Sequence, residues 1–287
     1  KNMFHAMPRM LAIFFETVER CLPIFHRLQD SKSKQAKKLI QESEDIVNQL
    51  CEIMRDCAER IEPFKWYSFL DQMKNDSIRS RNENVASVIK DILIRLMISY
   101  PDQTIWHLMY DLNKSRDSSH KDHFMEMVLM EAASEDKEGR VSSVKDSAQQ
   151  FYEKFSRFAK DVSRENDVQS RLDKAFIPFR NLVKQGKLNL IVPTHDYLYI
   201  SHGSINFENN PFRSAPVIVG MAKKYSIMNS QAKPRKIVLH GEVHDQKGDY
   251  PFLVKPRDDL RKDQRVMHFF SMVNRLIQKD PDSKGEN

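Results

Sequence analysis

Between Phe4 and about Asn113 the apolar residues return with a helical period. Leu39, Ile40, Ile46, Val47, Leu50, Ile53, Met54, Cys57 and Ile61 fall on one stripe. Val85, Val88, Ile89, Ile92, Leu93, Leu96 and Met97 follow the i, i+3, i+4, i+7 template more cleanly, and Ile105, Leu108, Met109 and Leu112 make a third run. Pro63 and Pro101 lie in the breaks, where proline opens the next helix without losing a needed N–H. The short connections predict antiparallel neighbours stacked as a helical-repeat array, although no strict repeat consensus is present. Ser115 to Lys121 is polar and is expected to be an exposed linker. Two further helices follow, one with Phe124, Met127, Val128 and Met130. The other carries the strongest stripe: Val141, Val144, Ala148, Phe151, Tyr152, Phe155, Phe158, Ala159 and Val162. Its aromatic content suits a packed helical hairpin; a groove for a partner helix is the alternative.

After Gln185-Gly186 the period changes. Asn189–Val192, Asp196–Ile200 and Val217–Val219 are expected strands, with a polar loop at Gly203–Asn210. Lys236–His240 and Pro251–Lys255 are two more, joined by a turn-rich segment, Gly241 to Asp249. From Asp258 the period is helical again, with Val266, Phe269, Phe270, Val273 and Ile277 on one face. The fold class expected is an α-helical repeat array followed by a small α+β unit. The expected divisions are a helical array over 1–115, a helical hairpin over 116–188 and the α+β unit over 189–287.

Composition narrows the class. The 287 residues suffice for roughly two domains, and 40% hydrophobic with 30% charged residues describes a soluble globular chain. The first of seven glycines is Gly139, so the first half offers no sandwich, barrel or dinucleotide-binding turn. The net charge, 46 − 40 = +6, permits acidic partners without demanding them. No apolar run approaches the roughly 18–20 residues of a membrane helix. Cys21, Cys51 and Cys57 have no CxxC spacing and are expected to be reduced thiols in helices. The chain starts within a helical pattern and without a signal-peptide plan, as a segment of something longer would.

The candidate chemistry lies near the C-terminal end. A strand, the loop Gly241 to Asp249, a strand ending in Lys255 and a carboxylate-rich helix could form a nucleotide-phosphate site. Loop N–H groups would cover the phosphates, the lysine would supply a point charge, and a helix carboxylate would hold that lysine. The alternative is plain: Lys255 as a surface lysine, with Asp258 and Asp259 as helix N-terminal charges. GxxxxGK[ST] and GxGxxG are both absent, so neither a P-loop NTPase nor an ordinary protein kinase is indicated. The ten histidines show no HExxH or similar spacing, and His195, His202, His240 and His244 are expected on loops or the surface.

Lys255-Pro-Arg-Asp-Asp-Leu-Arg-Lys-Asp263, with Arg265-Val-Met267 and Asn274, resembles the start of the catalytic domain in the phosphatidylinositol 3-kinase-related protein kinases. Its form is nearer the ATR branch than the TOR branch, and Ser230-Gln231-Ala-Lys-Pro-Arg-Lys-Ile237 fits both. Lys65-Trp66-Tyr67 and Tyr100-Pro-Asp-Gln103-Thr-Ile-Trp106 resemble the end of the FAT helical region that precedes the kinase. Between 107 and 230 the likeness rests on features such as Ile191-Val-Pro193 and Asn210-Pro-Phe212. The resemblance implies an ATP site in a kinase N-lobe. Lys255 would be the phosphate lysine and Asp263 the acidic residue that orients it, with Asp258 as the other candidate. Gly241 and Lys247 would belong to the phosphate loop, which here is long and lacks Ser and Thr.

The family's catalytic loop, G-D-R-H-x-x-N, and its D-F-G-like metal segment are not in these 287 residues. No catalytic or metal-binding residue is therefore expected in this chain, nor ATP binding or phosphoryl transfer by it alone. For the complete enzyme the resemblance implies MgATP and Ser/Thr protein substrates in nuclear DNA-damage checkpoint signalling. It further implies a regulatory subunit like the ATR-interacting protein, indirect contact with DNA, no membrane and a possible homodimer. A TOR-like kinase segment, or a helical interaction module without nucleotide chemistry, are the alternatives.

Overall fold

The computed structural model describes residues 3–28, 33–79, 82–114, 124–160, 167–186, 188–194, 212, 215–230 and 233–255, together with Asp263, Val266, Met267, Phe269, Phe270, Val273, Asn274 and Ile277. The expected loops Ser115–Lys121 and Gly203–Asn210 and the expected strand Asp196–Ile200 lie outside these residues.

Among the described residues the chain begins as an array of helices: α1 (Met3–Leu28), α2 (Lys34–Arg60), α3 (Pro63–Tyr67), α4 (Leu70–Arg79), α5 (Glu83–Ser99) and α6 (Pro101–Lys114), then α7 (Phe124–Glu135), α8 (Arg140–Ala159) and α9 (Val168–Lys184). Pro63 and Pro101 each occupy the first helical position, where the missing N–H costs nothing. Asn82 starts α5 by accepting the N–H groups of Asn84 (3.0 Å) and Val85 (3.2 Å) on its side-chain oxygen.

Helix α5 is the hub. Helices α2, α3, α4, α6 and α7 surround it, so Val85, Val88, Ile89, Ile92, Leu93, Ile94, Leu96 and Met97 are buried. Helix α8 packs on α6 and α9 on α8. One continuous apolar core runs from Met7 through the helices to Val254 in the sheet. Helix α2 corrects the expected stripe. Its buried face is Ala36, Ser43, Val47, Cys51, Met54 and Ala58. Leu39, Ile46 and Ile53, seven residues apart, form a separate row that is 45–58% exposed, because α1 and α5 cover only the neighbouring face. Cys21 and Cys51 are buried free thiols, and burial raises the pKa of both.

The second unit is an antiparallel sheet of β1 (Val217–Met221), β2 (Ser226–Ile227), β3 (Arg235–Val243) and β4 (Gln246–Val254). Strand β3 is central. Strand β4 pairs along its full length on one side, and β1 and β2 share the other. Asn189–Val192 contributes less than a strand: Ile191 bridges Val217, with Val192 N–H to Pro216 O at 2.7 Å and Ile218 N–H to Leu190 O at 2.8 Å. Helix α9 backs β1. The described residues from Asp263 to Ile277 are helical, and the expected inward face is turned to solvent: Val266, Phe269, Phe270 and Ile277 are 49–60% exposed.

The segment 241–249 is the main correction in the sheet. It is not a loop. Strand pairing continues through it, and only His244 and Asp245 turn the chain, both at positive φ (48° and 62°). Such a two-residue turn matches the twist of a hairpin. Its usual Asn-Gly or Asp-Gly signature is missing, so the sequence pattern pointed to a longer loop.

Candidate functional site

Lys255 follows the last residue of β4 and is exposed, at the end of the sheet where Arg235 pairs with Val254. The pairing runs without a slip to Val243 and Gln246 at the turn. Eight steps of about 3.4 Å put that turn roughly 27 Å from the Lys255 end. The structure therefore does not bring Gly241 and Lys247 together with Lys255. Gly241 faces packed side chains: a Cβ there would come within 2.7 Å of Tyr250 and 2.8 Å of Val192. Lys247 lies at the hairpin tip, 3.8 Å from Glu242. Asp263 is exposed on the final helical residues, and Asp258 lies outside the described residues.

A different segment shares the Lys255 end. Strand β2 pairs Ile227 with Arg235, so the connection from Met228 to Pro234 crosses beside the root of the β3–β4 hairpin. Its described residues are held by their own backbone: Met228 N–H to Pro234 O at 2.8 Å, Ser230 N–H to Met228 O at 2.9 Å and Lys233 N–H to Ser230 O at 3.0 Å. Lys233 has a positive φ of 42°. Ser230 and Lys233 are exposed there, and residues 231 and 232 lie outside the described set. Sequence reasoning missed this loop because β2 is only two residues long and leaves almost no period-2 signal. The available signal was the run Ser230-Gln231-Ala-Lys-Pro-Arg-Lys, noticed as resemblance and not as a loop.

The same end of the sheet is fastened to the helices. Arg235 is 3% exposed, and its guanidinium donates to the carbonyls of Phe158 and, at 3.0 Å, of Lys160 at the C-terminus of α8. It also lies over the Phe158 ring, 5.5 Å from the centroid. Tyr225, just before β2, packs on Phe158 and Phe176 and donates its hydroxyl to Asp173 at 2.9 Å. Burial, then that carboxylate, push the Tyr225 pKa well up.

A second joint explains why scattered motifs matter together. Phe212, 4% exposed, sits edge-on to Tyr67 (4.8 Å) and Tyr100 (5.0 Å). Tyr67 hydroxyl lies 3.0 Å from His107 Nε2, and His107 Nδ1 lies 3.2 Å from Asp71. Lys74 donates to the His107 carbonyl at 2.9 Å and lies 3.6 Å from Asp71. Burial opposes ionisation of Asp71, but His107 and Lys74 outweigh it and hold its pKa at about 2. Among the described residues no three His, Cys, Asp or Glu side chains converge as a metal site.

Residues 49–154 match the family model described as HEAT repeats of serine/threonine-protein kinase ATR-like proteins. The chain is 29% identical to serine/threonine-protein kinase ATR of Oryza sativa subsp. indica over 292 aligned positions, covering 99% of the chain and 10% of that protein. It is 28% identical to the Arabidopsis thaliana protein of the same name, again over 99% of the chain and 10% of the relative. Against the Drosophila melanogaster ATR kinase, identity is 23% over 98% of the chain and 11% of the relative. The chain thus spans about a tenth of the length of these relatives.

Proposed function

We propose that this chain, an ATR-like segment of the phosphatidylinositol 3-kinase-related kinase family, joins a HEAT-repeat array to the ATP-facing sheet of a serine/threonine protein kinase. The observation that carries this is the Lys255 end of the sheet. An exposed ammonium at a strand terminus shares that end with a backbone-stiffened loop holding Ser230 and Lys233. Loop N–H and hydroxyl groups with a fixed lysine suit the oxygens of a triphosphate, which needs positioned positive charge more than covalent chemistry. In this reading Met228–Pro234 takes the phosphate-loop role, and Gly241 and Lys247 do not contact ATP. Asp263, or Asp258, orients Lys255.

The γ-phosphate would pass to Ser or Thr of protein substrates in the nuclear DNA-damage checkpoint. Magnesium would be held by residues outside this chain, and the chain alone would not catalyse. A regulatory subunit like the ATR-interacting protein would bind the complete enzyme, which could pair as a homodimer and would meet DNA only indirectly.

An acyl-phosphate ATP probe, which transfers its acyl group to lysines beside bound phosphates, tests the reading in the full-length kinase. Lys255 should be acylated and protected by excess ATP. ATP-protected labelling of Lys247 with none at Lys255 would refute the assignment.

A further inference from the structure

We infer that Arg235 is a positioning residue for Lys255, transmitting the place of helix α8 to the phosphate lysine; this rests on the reading of Lys255 given above. Arg235 and Lys255 meet through one rung of the sheet. Arg235 pairs with Val254, the residue immediately before Lys255, and with Ile227, at the start of the Met228–Pro234 connection. Val254 is itself buried, so the rung is a fixed point immediately before the exposed lysine.

An almost fully buried guanidinium is costly unless its protons find acceptors. Here the acceptors are carbonyls at the end of α8, where the helix leaves its last C=O groups unsatisfied and the dipole is negative. The match is reciprocal: the strand gains an anchor and the helix gains a C-terminal cap. The carbonyls lie 75 and 77 residues earlier in the chain, so this is a tertiary bond between the array and the sheet. Lysine replaces it only in part, since an ammonium has three donors but lacks the planar fork that reaches two carbonyls while stacked on a ring. Displacement of α8 would carry the rung, and with it both Lys255 and the root of the loop.

The test is a double-mutant cycle in the full-length kinase, read as affinity for AMP-PNP with Mg²⁺. Arg235→Gln should weaken binding about 5- to 10-fold when Lys255 is present and less than about 2-fold in the Lys255→Met background. Arg235→Lys, keeping its charge near the Phe158 ring but reaching fewer carbonyls, should fall between. A merely structural role would lower the melting temperature and weaken binding equally in both backgrounds, or leave binding unchanged; either result overturns the inference while the Lys255 reading stands. If Lys255→Met alone leaves AMP-PNP affinity unchanged, the underlying reading fails, and this one with it. If Arg235→Gln does not fold, Arg235→Lys carries the same cycle, with the same equal-effect outcome against the inference.

Discussion

Replacing Phe158 by alanine probes the joint between the helices and the sheet most directly. The ring is fully buried, and its centroid is 5.3 Å from Phe176, 6.4 Å from Phe179 and 5.2 Å from Tyr225. Truncating a buried phenylalanine costs about 3–5 kcal/mol in lost transfer energy and cavity. The Arg235 guanidinium over the ring adds about 0.5–2 kcal/mol, since that charge would lose its aromatic face without gaining water. The two together, about 5 kcal/mol, correspond to a fall of about 10–20 °C in melting temperature for a protein of this size. Thermal melts followed by circular dichroism at 222 nm give the value. Phe155→Ala is the comparison: Phe155 is only half-buried, so the change should cost about 1–3 kcal/mol, less than its place on the sequence stripe suggests. A Phe158→Ala shift under about 3 °C, or one no larger than that of Phe155→Ala, would refute the account of this joint.

Asp71 makes part of the stability pH-dependent. Its folded pKa is about 2 against an ordinary 3.8, so its contribution is present above pH 3.8 and is lost as pH falls towards 2. Its side chain is 45% exposed, so screening reduces the contribution to about 1 kcal/mol. Urea midpoints should therefore separate wild type from Asp71→Asn at pH 5 and converge near pH 2; a constant gap would contradict the ion-pair account. Asn82→Ala removes the α5 cap and should cost about 1 kcal/mol in urea unfolding. Gly241→Ala forces a Cβ into Tyr250 and Val192 and should cost about 1–3 kcal/mol, whereas a neutral result would show that the sheet yields there. Ile46→Gln should stay within about 0.5 kcal/mol, while Val47→Ala, one residue on and 1% exposed, should cost about 1–3 kcal/mol by the same melts.

The sequence determined several of the helices and two of their starts, although α9 was not read from it. A 3.6-residue period needs only local positions, and Pro63 and Pro101 act through their own rings, so the run from Val85 to Met97 and the starts of α3 and α6 were legible without a fold. The lysine-to-carboxylate run was legible because it is contiguous. Which apolar row of α2 is buried was not, since Leu39 and Val47 are equally hydrophobic and only the placing of α1 and α5 chooses between them. The loop beside Lys255 was likewise hidden. Its identity depends on the register between β2, β3 and β4, and pairing energy along a ladder is a property of two strands together. Arg235 stood in plain view between Lys233 and Lys236, with nothing in the sequence to mark it as buried. Its burial was decided by α8, whose terminal carbonyls, brought up by the folding of the aromatic hairpin, offered acceptors that no neighbouring residue in the sequence could supply.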